Sequence, residues 1–286
     1  MRHGFLLIHK PAGPTSHDIV QTVRRRLNEG KIGHLGTLDP AAEGLLVLAV
    51  GAKALKVVEL FGHLSKEYVA DIRLGATSST YDREGVIDVW QPVAGWEPPD
   101  LLHMRSVIEQ RFLGKIRQVP PAHSAVKVGG ERAYRKARQG RNVDLAAREV
   151  EITACAIESY DYPTLRLKVA CGSGTYIRSL AHDLGQVLRC GAYLAGLLRT
   201  RVGEWKLEDA ASPEEAAWSK VIPLKEILAP ARRAELSDPQ LEDVRCGRSV
   251  PLEIEPDTIA WHGGLPVAIL IPCKDGTRAS RARKVL

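Results

Sequence analysis

The chain has 286 residues, 44% of them apolar, enough for one large domain and a smaller one to bury their own cores without disulfide staples. Lys and Arg number 40 against 34 Asp and Glu, and the formal charge of +6 favours a polyanionic partner without requiring one. Five cysteines, an odd set with no C-x-x-C pair, argue against a disulfide framework and a zinc cluster and fit a reducing cytoplasm.

Residues 5–8 form an apolar run too short for a secretory signal, and no segment approaches the ~18 consecutive apolar residues of a membrane span. The reading is a soluble, non-exported protein. Residues 5–9 predict a short strand. The loop Pro11-Ala12-Gly13-Pro14-Thr15 follows, then a helix capped by Ser16 with Ile19, Val20, Val23 and Leu27 on its apolar side. The continuous apolar run 44–50 suits a buried strand and 52–61 a helix. Residues 66–74 alternate, placing Tyr68, Ala70, Ile72 and Leu74 on one face of a half-buried strand. A polar loop covers 77–85, a Pro- and Gly-marked connection 91–100, and a helical period 101–113.

Residues 125–128 predict a strand that ends in the turn Gly129-Gly130. Between 131 and 148 a short helical piece is crowded with Arg132, Arg135, Arg138, Arg141, Arg148 and Lys136; taken alone it is a solvated face. Strands follow at 150–160 and 164–171, and Thr175 is the expected cap of a helix presenting Ile177, Leu180, Ala181, Leu184, Val187 and Leu188. Residues 197–203 read as a strand with Arg199 and Arg201 on one face. After a linker-like stretch at 213–230, the remainder reads as a small β-rich module. Irregularly interleaved strands and helices predict an α+β fold with a mixed, largely antiparallel sheet.

Two segments carry chemistry. In Lys31-Ile32-Gly33-His34-Leu35-Gly36-Thr37-Leu38-Asp39-Pro40-Ala41-Ala42-Glu43-Gly44, Pro40 forces Asp39 into extended backbone, and the glycines permit close approaches. A carboxylate fixed in that way can act as nucleophile or base, although Asp-Pro between glycines is also ordinary turn chemistry. In Gly172-Ser173-Gly174-Thr175-Tyr176-Ile177-Arg178-Ser179, Arg178 falls in the first helical turn, where a cation opposes the helix dipole. That placement points to an anion outside the helix, a carboxylate or a phosphate. Tyr68 and Tyr176 offer faces on which a nucleobase could stack, though buried tyrosines are commonly plain core.

Several motifs in one order give the chain a resemblance to the TruB family of tRNA pseudouridine-55 synthases. They are Lys10-Pro11-Ala12-Gly13-Pro14-Thr15-Ser16, Gly33-His34-Leu35-Gly36-Thr37-Leu38-Asp39-Pro40, Lys66-Glu67-Tyr68, Ser124-Ala125-Val126-Lys127-Val128, Gly174-Thr175-Tyr176-Ile177-Arg178-Ser179-Leu180 and Leu198-Arg199-Thr200-Arg201-Val202-Gly203. The C-terminal stretch matches only loosely, and Leu35 departs from the Thr or Gly more usual there, which predicts altered packing rather than lost chemistry.

The resemblance implies a catalytic domain over residues 1–222, with a thumb-like RNA-binding segment at about 120–148, and a PUA-like module over 223–286. It implies that Asp39 is the catalytic aspartate, Arg178 its ion-pair partner and Tyr68 the aromatic against the target uracil. Tyr176 and Leu198 would line the uracil pocket, His34 would wedge into the folded loop, and Lys10, Arg199 and Arg201 would contact the substrate. The implied substrate is uridine 55 in the T-arm of tRNA. The isomerisation requires no cofactor, neither metal, redox carrier nor nucleotide. The implied protein is a cytoplasmic monomer needing no protein partner. Pairing with Arg178 is expected to lower the pKa of Asp39 and keep it ionised. Two other readings are a non-catalytic tRNA-remodelling protein and a guide-RNA-dependent, dyskerin-like synthase.

Overall fold

Alternation along Lys66–Leu74 makes it a strand with one apolar face, and in the computed structural model it runs through the middle of a ten-stranded sheet. The structure describes residues 3–124, 126–273 and 278–286. Ala125 of the expected 125–128 strand and four residues of the C-terminal module therefore lie outside it. From one edge the sheet runs Ile222–Pro223, Gly4–Lys10, Glu43–Val50, Ala192–Val202, Lys66–Leu74, Thr164–Cys171, Arg148–Asp161 and Gly114–Gln118. Ile32–Leu35 and Trp205–Lys206 pair alongside. The fold is thus α+β with a mixed, mostly antiparallel sheet.

Three apolar layers hold it. Tyr68, Ala70, Ile72 and Leu74 pack with Leu165, Leu167 and Val169 against Ile177, Leu180, Ala181 and Leu184 of the helix Ile177–Val187. On the other half of the sheet, Leu46, Leu48 and Val50 meet Ile19, Val20, Val23 and Leu27 of the helix Ser16–Leu27. Leu45, Val47 and Ala49 face the opposite way, onto Ile259, Trp261 and Ile269 of a second, four-stranded sheet. Glu43–Val50 is a continuous apolar run because both its faces are covered, and each buried Leu or Val contributes about 1.5–3 kcal/mol. The second sheet is Arg233–Glu235, Thr258–His262, Leu265–Pro272 and Ser280–Val285. Lys56 Nζ donates to the Val285 carbonyl at 2.6 Å, and Lys284 Nζ to the Lys56 carbonyl at 2.9 Å, which ties this sheet to the helix Ala52–Val57 that follows Glu43–Val50.

The pairing of Glu43–Val50 with Ala192–Val202 is parallel and limited to Leu198 with Glu43 and Arg199 with Gly44. Beyond these pairs Ala41, Glu43, Gly196, Leu197 and Leu198 line a cleft of about 480 Å³. Gly44 makes the approach feasible. Its φ is +110°, and a Cβ there would lie 2.3 Å from the Arg199 carbonyl oxygen, so only glycine fits.

Local expectations needed correction. Thr15, not Ser16, caps the first helix: its hydroxyl accepts from Asp18 N while Asp18 accepts from Thr15 N, a reciprocal box that frees Ser16 for another role. The helix expected over 52–61 is α-helical over Ala52–Val57 and 3-10 over Val58–Phe61. That expected over 101–113 ends at Arg111. The polar loop includes a short hairpin, Ala76–Ser78 with Ile87–Val89. In the basic segment Lys127–Val128 pairs with Glu131–Arg132, and the helix covers only Ala133–Arg138. Among the described residues no helix is long and apolar enough to cross a membrane.

Candidate active site

Each backbone carbonyl from Gly36 to Ala42 accepts a hydrogen bond. Arg199 donates to Gly36 and Thr37 at 3.2 and 3.5 Å, and its Nε to Leu45 at 2.7 Å. The Ser16 hydroxyl donates to the Leu38 carbonyl at 2.8 Å and accepts from Leu38 N at 2.9 Å. Ala42 N donates to the Asp39 carbonyl, and Gly13 N to that of Pro40. Lys10 Nζ reaches the carbonyls of Pro11, Pro40 and Ala42 at 2.9, 3.1 and 2.6 Å. Arg83 donates to Ala41 at 3.4 Å. A loop with every acceptor committed cannot rotate its peptides without breaking bonds, so Asp39 is held in place before any ligand arrives.

Asp39 Oδ2 lies 3.0 Å from Arg178 Nε. The cation in the first turn of Ile177–Val187 therefore has its anion, supplied from 139 positions earlier in the chain by the loop. Arg178 is only 8% exposed at the side chain and Asp39 is 40% exposed, so the acid faces the cleft while its partner stands behind it. A second carboxylate shares the guanidinium: Asp82 Oδ2 lies 3.3 Å from Arg178 Nη1. The carbonyls of Thr80 and His123 accept the remaining donors at 3.4 and 3.0 Å. Asp82 is buried at the tip of the 77–85 loop, where Glu84 N and the Thr80 hydroxyl donate to its Oδ1.

Sharing inverts one expectation. Burial raises the pKa of Asp39 above the ordinary aspartate value; Arg178 pulls it down, Asp82 pushes it up, and Lys10 and His123 pull weakly down. The expected lowering by Arg178 is present but outweighed, because one positive charge serves two carboxylates in a partly desolvated site. The guanidinium orients Asp39 more than it acidifies it.

The space directly against Asp39 is about 10 Å³, room for one water, and its lining shares Ala41, Arg83, Ala195, Gly196 and Leu197 with the larger cleft. A fixed, oriented carboxylate at the wall of a partly enclosed space is suited to attack on carbon or to proton abstraction.

Comparison with known proteins places the chain in a family. The sequence model described as the TruB family pseudouridylate synthase N-terminal domain matches residues 24–177. The chain belongs to the TruB family of pseudouridylate synthases. A protein of Bacteroides thetaiotaomicron named tRNA pseudouridine synthase B is 45% identical over 73% of this chain and 89% of its own length. A Xanthomonas euvesicatoria protein of the same name is 39% identical over 96% of this chain and 91% of its own. Among solved structures, a chain from a Cbf5–Nop10–Gar1 complex superposes with a TM-score of 0.72 at 25% identity, over 99% of this chain and 85% of that one.

With the family known, the other candidate residues sort by position. Tyr68 faces inward beside the loop, 8% exposed and opposite Arg199 in register; burial raises its pKa while Arg199 pulls it down. Leu198 is half-buried on the cleft wall. Tyr176, not Thr175, is the N-terminal flanking residue of the Arg178 helix, without a side-chain cap; Gln118 instead receives its N–H at 2.8 Å and donates to its carbonyl at 3.0 Å. Thr175 is turned back, its hydroxyl donating to Gly172. His34 sits on the strand entering the loop, and burial with the charges of Arg199 and His17 keeps its imidazole below the usual range.

Lys10 and Arg199 require correction as substrate contacts. They are 0% and 1% exposed, and they donate to the carbonyls of the Asp39 loop and its flanks, Arg199 also bonding the Tyr68 side chain, so they hold the loop rather than reach a ligand. Burial lowers the pKa of Lys10 to about 8. Nor do Arg199 and Arg201 share a face: the ladder slips between them, inserting Thr200 as an extra residue, and Arg201 turns outward to Glu67 at 3.8 Å. Leu35 packs into the layer with Leu45 and Val47.

Sequence reasoning passed over Asp82, Gln118 and Ser16. Asp82 left one signal, Thr80-Tyr81-Asp82-Arg83-Glu84-Gly85. An Asp that can receive the N–H two residues on, with Gly at the close, is an Asx-type turn with its carboxylate held rather than solvated.

Proposed function

We propose that the protein converts uridine 55 in the T-loop of tRNA to pseudouridine, with Asp39 as the reacting carboxylate. The observation that carries this is the 3.0 Å pairing of Asp39 with Arg178 in a loop whose carbonyls are all committed. The choice of tRNA is supported by the relatives named for it.

In the reaction the C1′–N1 bond breaks, the uracil turns, and C5 joins C1′; the C5 proton leaves to solvent and N1 takes one up, so the product is an isomer of the substrate. Asp39, ionised, starts it by adding to the nucleoside or by taking a sugar proton. The target base must leave its stack at a cost of a few kcal/mol. Stacking on Tyr68, insertion of His34 into the space it vacates, and contact with Tyr176 and Leu198 offset that cost. The residues lining the 10 Å³ space, among them 194–197, must separate to admit a base. The basic residues at about 120–148 form a thumb that grips the RNA backbone, and Arg201 adds a contact at the rim. Residues 1–222 are the catalytic domain and 223–286 a PUA-like module that extends the RNA surface; the protein works as a monomer without a guide RNA.

The test is release of tritium from an unmodified tRNA transcript labelled at uracil C5. Wild type should release one tritium per tRNA and stop when uridine 55 is replaced by cytidine. Asp39→Asn should retain tRNA binding and lose release by at least about 10³-fold. Binding without release by the wild-type protein would leave only an RNA-remodelling role.

A further inference from the structure

The loop that supplies Asp82 touches the helix that supplies Arg178 at a second point. Tyr81 and His182 stack face to face, ring centroids 3.8 Å apart and planes 11° from parallel. Arg178 and His182 are four positions apart in the helix Ile177–Val187 and so share a side of it. Tyr81 lies between Thr80, whose carbonyl Arg178 holds, and Asp82, whose carboxylate Arg178 holds.

The backbone at Tyr81 is left-handed, with φ at +65°, a conformation a bulky side chain adopts only when its surroundings over-determine it. Those surroundings are the stack, the Asp82–Arg178 pair and a 2.9 Å hydrogen bond from Leu194 N to the Tyr81 carbonyl. Nδ1 of His182 is buried without a partner, so the ring contributes its face rather than a hydrogen bond there. The Arg178 bonds and the Leu194 hydrogen bond hold the loop through Asp82 and its backbone; the stack adds a side-chain contact to the same helix one turn away, roughly 5 Å along the axis, which resists rotation about them.

We propose that the Tyr81–His182 stack is a positioning latch for the reaction: it locks the 77–85 loop to the Arg178 helix and so keeps Asp82 in its share of the guanidinium. The latch rests on the assignment of Asp39 as the reacting acid. The groups that face Asp39 are Arg178 from the helix, Asp82 and, in the same space, Arg83 from the latched loop, Lys10 from the first strand, Tyr68 from Lys66–Leu74 and His123 from the segment after Gly114–Gln118. Releasing the loop moves Asp82 away, leaves Arg178 to Asp39 alone and admits water. All three changes favour the ionised acid.

The variants are Tyr81→Gly, which keeps the left-handed backbone without the ring, and Tyr81→Phe, which keeps the ring without the hydroxyl. In the full chain acting on the tRNA transcript, Tyr81→Gly should lower kcat about tenfold, with KM within about twofold. The acid limb of kcat should move to lower pH by about half a pH unit or more. Tyr81→Phe should behave as wild type, and His182→Ala as Tyr81→Gly, the double variant being no worse than either single one. Titration of the Asp39 carboxyl carbon by NMR, assigned with Asp39→Asn, should show the same fall in Tyr81→Gly whether or not the protein turns over. An unmoved carboxyl titration in Tyr81→Gly, or a Tyr81→Phe variant as impaired as Tyr81→Gly, overturns the latch. Absence of tritium release by wild type overturns the functional assignment instead, and the carboxyl titration decides the latch in that case too.

Discussion

The Asp39 loop and the basic segment after Gly114–Gln118 are both short on regular structure, and they are built in opposite ways. Between Gly36 and Ala42 every carbonyl has a donor, two of those donors being buried cations from other strands. In the basic segment, Lys127–Val128 pairs with Glu131–Arg132, a six-residue helix follows, and Arg132, Arg135 and Arg138 stand exposed. Under the proposed function, the contrast separates a part that must not move from a part that meets a large anion. Chemistry needs a fixed oxygen, whereas capture of a polyanion needs charge and reach.

Removing Arg178 strikes hardest at the fixed part. In Arg178→Ala, Asp82 is left buried without its cation, and a loss of about 3–5 kcal/mol in denaturant unfolding is expected together with loss of tritium release. Arg178→Lys keeps the charge but cannot bridge both carboxylates through separate nitrogens. It should fold and lose about 10²-fold in kcat.

Lys10→Met comes next, since the carbonyls of Pro11, Pro40 and Ala42 lose one shared donor; unfolding should cost about 2 kcal/mol less and kcat fall about tenfold. A rise in KM with kcat unchanged would move Lys10 back among the substrate contacts. The pH profile sharpens the same half of the contrast. In the proposed role Asp39 reacts ionised, and its pKa is raised, so kcat should fall as pH drops through a value above that of an ordinary aspartate. Arg178→Ala, if any rate survives, should move that limb further up, opposite to the direction expected for Tyr81→Gly.

The smallest effect on turnover belongs to the basic segment. Replacing Arg132, Arg135 and Arg138 together by Gln should weaken tRNA binding and reduce the slope of log K against log salt by about 2 to 3, with the change falling on KM. An unaltered salt slope would place the RNA elsewhere on the protein.

The sequence by itself determined the local frame and singled out Asp39 and Arg178, and the family resemblance paired them. Alternation over 66–74 turned Tyr68 inward, the continuous run after Gly44 foretold a strand covered on both faces, and an arginine set against its own helix dipole announced an outside anion. Those signals are local, carried by residues within a few positions of each other. Tertiary structure decided the rest. It buried Lys10 and Arg199 as supports of the loop, brought Asp82 in as a second claimant on Arg178, slipped the ladder so that Arg201 left Arg199's face, and raised rather than lowered the acid's pKa. Each of these depends on groups some 30 to 160 positions apart meeting in a partly desolvated space, where the balance of burial against charge is set by which neighbours arrive and not by the residues flanking the acid.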